Sequence, residues 1–269
     1  MTVRATTADL GTHGFVWLPG LCRTRREADE VARALVEVCR VERGLLPLSV
    51  VGDYVVPPVG DVQTRDFQTL HFDFGLPLDP KVERDVARYT ALYVPADVAD
   101  VQAVTRLVPL AALLGQRSWP PPAELVARLT SYGRTHGAWD DNQGYVEGSL
   151  ARLVEAADEG SPFLPSVKVE PGFLCGLEFD SFAGELAFFE RHGLRVRDVE
   201  IDVALQPGQL LVFDNLAVAH GRRGTRRPGE LRQRVFGHSL QPADQTKVRD
   251  DVLMAFYAVG APSSMASMP

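Results

Sequence analysis

Short runs rich in Val, Leu, Phe and Tyr predict β-strands in the first and last thirds of the chain. Gly, Pro or polar turn residues bound these runs, which is the pattern expected of strands. The predicted strands are GFVWLP at 14–19, RDVARYTALYV at 84–94, FLPSVKVEPGF at 163–173, RVRDVEIDVAL at 195–205, LLVFD at 210–214 and QRVFGHSL at 233–240.

Apolar residues at three- and four-residue spacing predict helices, most of them in the middle of the chain. Thr24 and Ser149 are the predicted N-caps of two of them, and prolines at 120–122 suit a helix start. The predicted helices cover 24–44, 107–115, 120–133 and 148–160. In the first helix the expected apolar stripe is Ala28, Val31, Ala34, Leu35 and Val38. The region from about 108 to 160 is therefore expected to be a mostly helical insert.

Strands on both sides of a helical middle predict a mainly β fold with flanking helices. This order of elements fits a double-stranded β-helix, the jelly-roll form also called cupin-like. The sequence shows no internal repeats or low-complexity segments, so we expect a single domain over residues 1–269. The tail at about 261–269 (APSSMASMP) is expected to be flexible.

Composition is that of a globular domain, with 45% hydrophobic and 23% charged residues. No apolar stretch approaches the ~20 residues needed to span a bilayer. The N-terminus lacks the apolar segment of a signal peptide, so we expect a cytoplasmic protein without a membrane partner. Cys22, Cys39 and Cys175 are widely spaced and form no CxxC pair, which favours buried or inert thiols over a disulfide framework or zinc ribbon.

The net charge of −7 argues against a nucleic-acid partner, because phosphate backbones are bound through clustered Lys and Arg. One basic run lies within thirteen residues, at Arg222, Arg223, Arg226, Arg227, Arg232 and Arg234. We interpret Arg223, Arg226 and Arg227 as solvated loop charges, with a role in a lid as the alternative.

Two segments carry candidate chemistry, and they lie 149 residues apart. In His71-Phe72-Asp73 the histidine and the aspartate would share one face of a strand, while Phe72 and Phe74 would pack on the other. His220 follows the LLVFDN segment at the start of the next strand-like stretch. Two histidines and one carboxylate form the facial triad of a non-heme iron(II) oxygenase, which leaves the opposite face of the ion open. His71, Asp73 and His220 are therefore the predicted metal ligands and catalytic residues.

A nearby arginine would complete such a site. A guanidinium binds carboxylates through two parallel hydrogen bonds, so it suits the distal carboxylate of a 2-oxo acid. Arg234, fourteen residues after His220, is the predicted anchor, and Arg232 on the same strand face is the fallback. Asp214 or Asn215 would either support a ligand imidazole or, as we favour, cap the turn.

The segment LLVFDNLAVAHGR with an arginine fourteen residues later resembles the taurine dioxygenase and clavaminate synthase group of iron(II)/2-oxoglutarate-dependent oxygenases. The His71 and Asp73 pair and the N-terminal GFVWLPGL are similar too, so the resemblance spans about residues 14–240, though the middle third matches only in its order of elements. It implies a jelly-roll fold, Fe(II), 2-oxoglutarate and O₂, and release of succinate and CO₂. It also implies that Thr105, in AVTRLVPL, contacts 2-oxoglutarate.

Within that superfamily, the short chain looks more similar to free-amino-acid hydroxylases and halogenases than to larger members. Halogenases of this pattern carry Gly or Ala in place of the carboxylate. This chain has Asp73, so the resemblance implies hydroxylation, or another oxidation that begins with hydrogen abstraction.

A small polar substrate, an amino acid or a derivative of one, would need a carboxylate clamp and an acidic partner for its ammonium group. The candidates are Gln68 and Arg65, then His136, Trp139, Asp140 and Asp141 in the polar THGAWDDNQGY segment, and Asp180. Segment 134–147 has the composition of a substrate lid, and a solvent-facing connector is the alternative.

Two other classes of protein stay open. One is a jelly-roll metal protein that is a zinc or nickel isomerase or hydrolase, and the other is a non-catalytic jelly roll that binds a small molecule. Zinc would prefer four tetrahedral ligands and a positioned base. The arginine strand and Thr105 favour the oxygenase, because neither alternative needs an anchor for a dicarboxylate. A monomer or homodimer is expected.

Overall fold

The computed structural model describes most of the strands and helices of the chain. The described residues are 9–20, 22–51, 54–56, 67–73, 76–77, 87–97, 103–136, 145–146, 150–158, 179, 181–224, 232–239 and 242–258. For some of them, including the whole strand at 232–239, only the course of the backbone is described.

Twelve strands are present within these residues. They are β1 (Phe15–Leu18), β2 (Ser49–Val51), β3 (Tyr54–Val56), β4 (Phe67–His71), β5 (Leu76–Pro77), β6 (Ala87–Tyr93), β7 (Val104–Pro109), β8 (Tyr145–Val146), β9 (Ile201–Val203), β10 (Leu210–Asp214), β11 (Val218–Arg223) and β12 (Arg232–Ser239).

Six helices, in addition to a helical segment at residues 9–13, flank the strands in the described part of the chain. They are α1 (Arg25–Glu42), α2 (Leu110–Leu114), α3 (Pro122–His136), α4 (Leu150–Ala157), α5 (Phe182–Arg191) and α6 (Pro242–Tyr257). A short 3₁₀ helix covers Val196–Asp198. None of the described helices is long and apolar enough to cross a membrane.

The strands form two main sheets in which every pairing is antiparallel. The larger has the order β1-β10-β6-β12-β2, with β3 also paired to β12, and the smaller has the order β4-β11-β7-β9. A separate two-stranded pair joins β5 and β8. The prediction of a mainly β fold with flanking helices is therefore confirmed.

The two main sheets pack face to face. One apolar cluster combines Leu92 and Phe213 of the larger sheet with Leu107, Val203 and Val218 of the smaller one. Because side chains alternate between the faces of a strand, the neighbouring residues point outward to the helices. Tyr89, Ala91 and Val212 pack against α1, whereas Phe72, Val108 and Ala219 pack against residues of α2 to α6.

Helix α1 confirms the predicted helix and its cap, and of the predicted stripe Ala28 and Leu35 are buried and Val31 packs against the core, whereas Ala34 is exposed. The Thr24 side chain accepts a hydrogen bond from the Glu27 N–H, at 3.2 Å. The buried residues are Ala28, Ala32, Leu35, Val36 and Cys39. The buried face is rotated relative to the predicted one. Apolar residues occupy two adjoining rows of this helix, so their spacing is compatible with more than one buried face.

The sequence pattern did not predict two of the helices: α5, which contacts β4, and α6, which contacts α2 and β5. Helix α5 has the N-cap Ser181, whose hydroxyl accepts from the Gly184 N–H at 3.1 Å, a signal that was present in the sequence. Helix α6 begins with a polar half and buries Val252, Ala255 and Phe256 near its end, so it lacks a continuous apolar period.

The predicted strand at 195–205 is mostly irregular. It contains the 3₁₀ helix Val196–Asp198 and a three-residue strand, β9. The predicted strand at 163–173, the N-cap Ser149 and the tail 261–269 lie outside the described residues.

Cys22 and Cys39 are buried free thiols, as predicted. Burial raises the pKa of Cys39 to about 11, and nearby Glu42 and Asp214 add to the shift. This thiol is therefore protonated and unreactive near neutral pH. Cys175 lies outside the described residues.

Candidate metal centre

Three buried side chains from two neighbouring strands meet between the sheets. His71 ends β4, Asp73 lies two residues later, and His220 lies within β11 directly opposite His71. One ligand atom from each residue lies within 4.8 Å of the others. The two imidazole centroids are 4.2 Å apart, and His220 Nε2 is 3.7 Å from Asp73 Oδ1. These three residues form a possible metal site.

A β-bulge brings the two histidines into register. His220 is paired with His71, but Arg222 is paired with Gln68, so β4 uses one more residue than β11 over this stretch. A Cβ added at Gly221 would lie 2.7 Å from the Gln68 carbonyl oxygen. Only glycine therefore allows the two strands to approach this closely.

Side chains on the reverse of the ligand segment hold it against the helices. Phe72 is 1% exposed and lies in the cluster between the smaller sheet and the helices, as predicted, while Phe74 lies outside the described residues. The backbone N–H of Leu70 donates to the Glu185 carboxylate at 2.7 Å. Helix α5 thus fixes the backbone immediately before His71.

The tautomer of His71 follows from its hydrogen bond. The Nδ1 atom lies 2.8 Å from the Thr69 carbonyl oxygen, which can only accept, so Nδ1 carries the proton. Nε2 is left with its lone pair for a metal ion. This is the usual arrangement for a ligating histidine, in which the second nitrogen is held by a backbone carbonyl.

The carboxylate of Asp73 also has a defined partner. The Thr90 hydroxyl, from β6 in the facing sheet, donates to Asp73 Oδ2 at 2.9 Å. The Oδ1 atom is the one that faces His220. Sequence reasoning did not identify Thr90, because the contact depends on how the two sheets pack.

Asn215 holds the backbone of Asp73. Its side-chain oxygen accepts from the Asp73 N–H at 2.8 Å, and its amide nitrogen donates to the carbonyls of Asp73 and Ala87, both at 2.9 Å. The favoured interpretation as a turn cap applies instead to Asp214, which accepts from the Leu216 N–H at 3.0 Å. Asn215 supports the carboxylate ligand, not an imidazole.

Asp214 also belongs to a buried ion cluster behind the larger sheet. Its Oδ2 lies 2.9 Å from Arg88 and 2.8 Å from Arg43, and Arg88 further pairs with Asp251. Burial raises the pKa of Asp214, and the charge of Arg88 opposes that rise. This cluster joins α1, β6, β10 and α6.

A second buried ion cluster lies behind the smaller sheet. Arg106 is fully buried and pairs with Glu185, at 2.6 Å, and with Glu200. Its guanidinium lies 4.5 Å from the centroid of Phe182. Burial raises the pKa of Glu185, and Arg106 opposes that rise. Sequence reasoning missed this cluster too, since its members are 15 to 94 residues apart.

Thr105 and Gln68 lie on the same sheet face as the histidines. Residues directly opposite one another in an antiparallel pair share a face. Arg222 is paired with Gln68 on one side and with Thr105 on the other, two positions along β11 from His220. Thr105 and Arg222 are buried, and Gln68 is half-buried. The three residues form a polar row next to the row of the metal ligands.

The two predicted anchor arginines are described only by their backbone. Arg234 is paired with Leu92, whose side chain packs between the sheets, and Arg232 is paired with Val56 of β3. Their side chains lie outside the described part of the chain. Among the basic residues of the loop, Arg223 ends β11 and pairs with Asp202, which corrects its interpretation as a solvated loop charge. Arg226 and Arg227 lie outside the described residues.

Most of the predicted substrate residues are not placed. Arg65, Trp139, Asp140, Asp141 and Asp180 lie outside the described residues, and His136 ends α3 with its side chain outside them. Part of the predicted lid is ordered backbone, because β8 at Tyr145–Val146 pairs with β5 at Leu76–Pro77. This pairing brings the end of the 134–147 segment to within three residues of Asp73 along the partner strand.

No family model and no curated protein matches the chain. Solved structures do match, at low identity. PvcB from Pseudomonas aeruginosa, described as an Fe, alpha-ketoglutarate dependent oxygenase from an isonitrile synthetic pathway, is 15% identical over 90% of this chain and 83% of its own, with a TM-score of 0.44.

Two further solved structures are similar over most of the chain. HygX from Streptomyces hygroscopicus, solved with iron bound, is 16% identical over 90% of this chain and 88% of its own, with a TM-score of 0.38. A taurine dioxygenase from Burkholderia xenovorans is 16% identical over 96% and 89%, with a TM-score of 0.39. At these values the likenesses assign no residue roles to this chain, and its own three converging ligands carry the functional argument.

Proposed function

We propose that the chain is an iron(II)- and 2-oxoglutarate-dependent dioxygenase on a jelly-roll fold, which hydroxylates an unactivated C–H bond of a small polar molecule, most simply an amino acid or its derivative. The observation that carries this proposal is the convergence of His71, Asp73 and His220 within 4.8 Å between two sheets. Two imidazoles and one carboxylate are the ligands of the facial triad.

The donor set fits iron(II) better than a structural zinc ion. Structural zinc sites are usually closed by four ligands and are rich in thiolates. In the described residues this cluster has three members and includes no cysteine. Two neutral imidazoles and one carboxylate give the site a charge of −1, which suits a divalent ion with open positions for further ligands.

When bound, iron(II) with 2-oxoglutarate and dioxygen supplies the oxidising power to convert a substrate C–H bond into C–OH, with release of succinate and CO₂. The protein contributes the position of the ligands and a largely apolar enclosure. Phe213 packs on the His220 imidazole with centroids 4.7 Å apart, and Leu107 lies opposite His220 on the next strand. These side chains exclude water on the side of the site that faces the core.

The polar row beside the ligands supports a dianionic cosubstrate. The Thr105 hydroxyl, on the ligand face, is our proposed hydrogen-bond donor to the distal carboxylate of 2-oxoglutarate. Arg234 is the proposed ion-pair partner, with Arg232 as the fallback, and the buried Arg222 adds positive potential to the same row. Two guanidinium groups near the distal carboxylate of 2-oxoglutarate would favour binding of this anion, because charges attract more strongly in a pocket of low dielectric.

The proposed substrate contacts begin at Gln68, which lies at the other end of the polar row from Thr105. Gln68, half-buried and opposite Arg222, would contact the substrate from the ligand strand. His136, Trp139, Asp140 and Asp141 are proposed to close over it, with an aspartate pairing with the substrate ammonium group.

Anaerobic titration tests the proposal. Purified protein with Fe(II) and 2-oxoglutarate should show the weak visible charge-transfer band of a chelated 2-oxo acid, and Asp73→Ala should abolish it. The matched control is Asp198→Ala, which removes an aspartate whose side chain is 51% exposed and distant in sequence from the ligands. The control should keep the band.

Succinate release across a panel of amino acids then tests the substrate class. A substrate-dependent increase is expected for at least one member. If no band forms when iron and 2-oxoglutarate are saturating, the oxygenase proposal is wrong and the zinc or nickel classes become the better explanation.

A further inference from the structure

We infer that Thr90 and Asn215 are positioning residues that hold Asp73 as a metal ligand through a single oxygen, Oδ1. This inference rests on the metal site of the proposed function, but not on the identity of the cosubstrate or the substrate. If Asp73 binds through one oxygen only, more coordination positions on the metal ion stay available for other ligands.

Asn215 replaces a missing strand partner. β4 ends at His71, and its pairing with β11 runs no further, so the backbone of Asp73 lies beyond the ladder. The Asn215 amide makes a hydrogen bond to both the N–H and the carbonyl of Asp73, as a neighbouring strand would. Its other donor hydrogen reaches the Ala87 carbonyl at the start of β6, which ties the ligand segment to the facing sheet.

This bonding pattern requires an amide. Asn215 is completely buried, and its two N–H donors and its acceptor oxygen are all used. An aspartate at this position would place carboxylate oxygens against two carbonyls. The pattern therefore explains why the residue after Asp214 is asparagine.

Thr90 fixes the rotation of the carboxylate itself. Its side chain lies on the inner face of β6, paired with Phe213, and is 1% exposed. The hydroxyl has one proton, and that proton is directed to Asp73 Oδ2 at 2.9 Å. Oδ1 is the oxygen that faces His220 Nε2, at 3.7 Å, so Oδ1 is the atom we assign to the metal ion.

The number of coordinating oxygens decides how many positions remain for other ligands. Six-coordinate iron(II) with two imidazoles and one carboxylate oxygen has three positions left. A chelating 2-oxo acid would fill two of these positions, and one would remain for a further ligand. If both oxygens of Asp73 coordinated, only two positions would remain, so the Thr90 hydrogen bond preserves the place for the third ligand.

Mn(II) binding to the apoprotein tests this inference without any cosubstrate. The variants are Thr90→Val, which keeps the shape but removes the hydroxyl, and Thr90→Ser, which keeps the hydroxyl. Affinity is measured from the electron paramagnetic resonance signal of free Mn(II), and bound waters are counted from the line broadening in ¹⁷O-water. Loss of a partner that orients a ligand typically costs ~10–100-fold in metal affinity.

We expect wild-type protein and Thr90→Ser to hold three waters on Mn(II). Thr90→Val should bind Mn(II) at least ~10-fold more weakly, with fewer bound waters. Tyr93→Phe is the matched control, because it removes a hydroxyl from the opposite face of the same strand, where that hydroxyl contacts the Cys22 carbonyl at 3.5 Å and the backbone of Ala96. The control should match wild type.

Asn215→Asp is the second variant and should weaken Mn(II) binding in the protein that remains folded. Wild-type affinity and water count in Thr90→Val would overturn the inference, and so would a wild-type protein that does not bind Mn(II). A protein that shows the expected Mn(II) results but no band with Fe(II) and 2-oxoglutarate would instead contradict the proposed oxygenase function alone.

Discussion

The space between the sheets and the regions behind them treat buried carboxylates differently. Between the sheets, Asp73 accepts a hydrogen bond from the hydroxyl of Thr90 and faces the imidazole of His220. Behind the sheets, Asp214 and Glu185 each pair with a guanidinium. A carboxylate that is paired with arginine has its charge neutralised by the protein. The hydroxyl of Thr90 carries no charge, so this hydrogen bond orients Asp73 without neutralising it for a bound cation.

The ion clusters and the hydrogen bonds around Asp73 also differ in what they stabilise. The ion clusters join distant elements, with Asp214 connecting two sheet strands to two helices and Glu185 connecting α5 to β4. The neutral hydrogen bonds at the site act over a few residues around one ligand. We therefore expect changes in the clusters to affect stability most, and changes at the site to affect metal binding most.

The largest expected effect on stability comes from Asp214→Ala. Removing this carboxylate leaves Arg88 buried with part of its charge uncompensated, which should lower the free energy of unfolding by about 3–5 kcal/mol. Urea denaturation measures this change, and Mn(II) titration of the folded protein should still detect a site. Asp73→Ala is the reciprocal variant, and should lose metal binding while its unfolding free energy changes much less. Equal destabilisation by the two variants would contradict the comparison.

For Gly221→Ala we expect a smaller loss of stability than for Asp214→Ala, but a larger loss of metal affinity. The added methyl group would meet the backbone of β4 at 2.7 Å, so the strands that carry the two histidines must separate. Overpacking of this kind costs about 1–3 kcal/mol. Metal affinity should fall beyond what the loss of stability explains, as measured by Mn(II) titration at a temperature where the variant is folded.

Gly184→Ala is the control for this substitution. Its added Cβ would have only ordinary contacts, the nearest at 3.4 Å, and it lies in helix α5, where alanine is the better helix former. Stability should be unchanged or slightly higher, with unaltered binding. Unchanged metal affinity in Gly221→Ala would show that close strand approach is not needed for the site.

The smallest effect is expected at an ion cluster near the surface. Burial acts to raise the pKa of Asp158, but hydrogen bonds from His192 and Arg117 outweigh it and leave the pKa below its usual range. A depressed carboxyl pKa adds stability above the unfolded value of about 3.9, and that stability is lost as pH falls through the lower folded value.

Asp158→Asn should therefore be less stable than wild type at pH 7 by no more than about 1 kcal/mol, because the side chain is 28% exposed and screened by solvent. The difference should shrink as the pH falls below 4. Urea denaturation at several pH values measures both. A difference that is as large as that for Asp214→Ala would mean that burial does not set the strength of these clusters.

The residues of the possible metal site were accessible from the sequence, because strand alternation places His71 and Asp73 on one face without knowledge of the sheet order. The supporting residues were less accessible. Thr90 lies within a predicted strand, but its partner is known only when β6 pairs with β10 and the two sheets face each other. Asn215 was considered, with its role assigned to the turn that Asp214 caps.

For the helices, too, the local sequence pattern did not determine everything that packing decides. Helix α3 followed from its apolar spacing, whereas α6 did not, because its buried residues are gathered at one end. The buried stripe of α1 was only partly predicted, because two adjoining rows of the helix are apolar and spacing does not choose between them. The local sequence pattern thus predicted most helices and strands. The packing of these elements decides which face of a helix is buried and which polar side chains bond to one another.

The bulge between β4 and β11 makes the length of the chain just before His71 critical. In a regular ladder, Leu70 would stand opposite His220, because strand partners advance in step. The additional residue after Gln68 is what moves His71 into that place. Inserting a single residue between Gln68 and Leu70, with the bulge retained, would leave the strand able to pair, yet would present Leu70 where the first imidazole now lies.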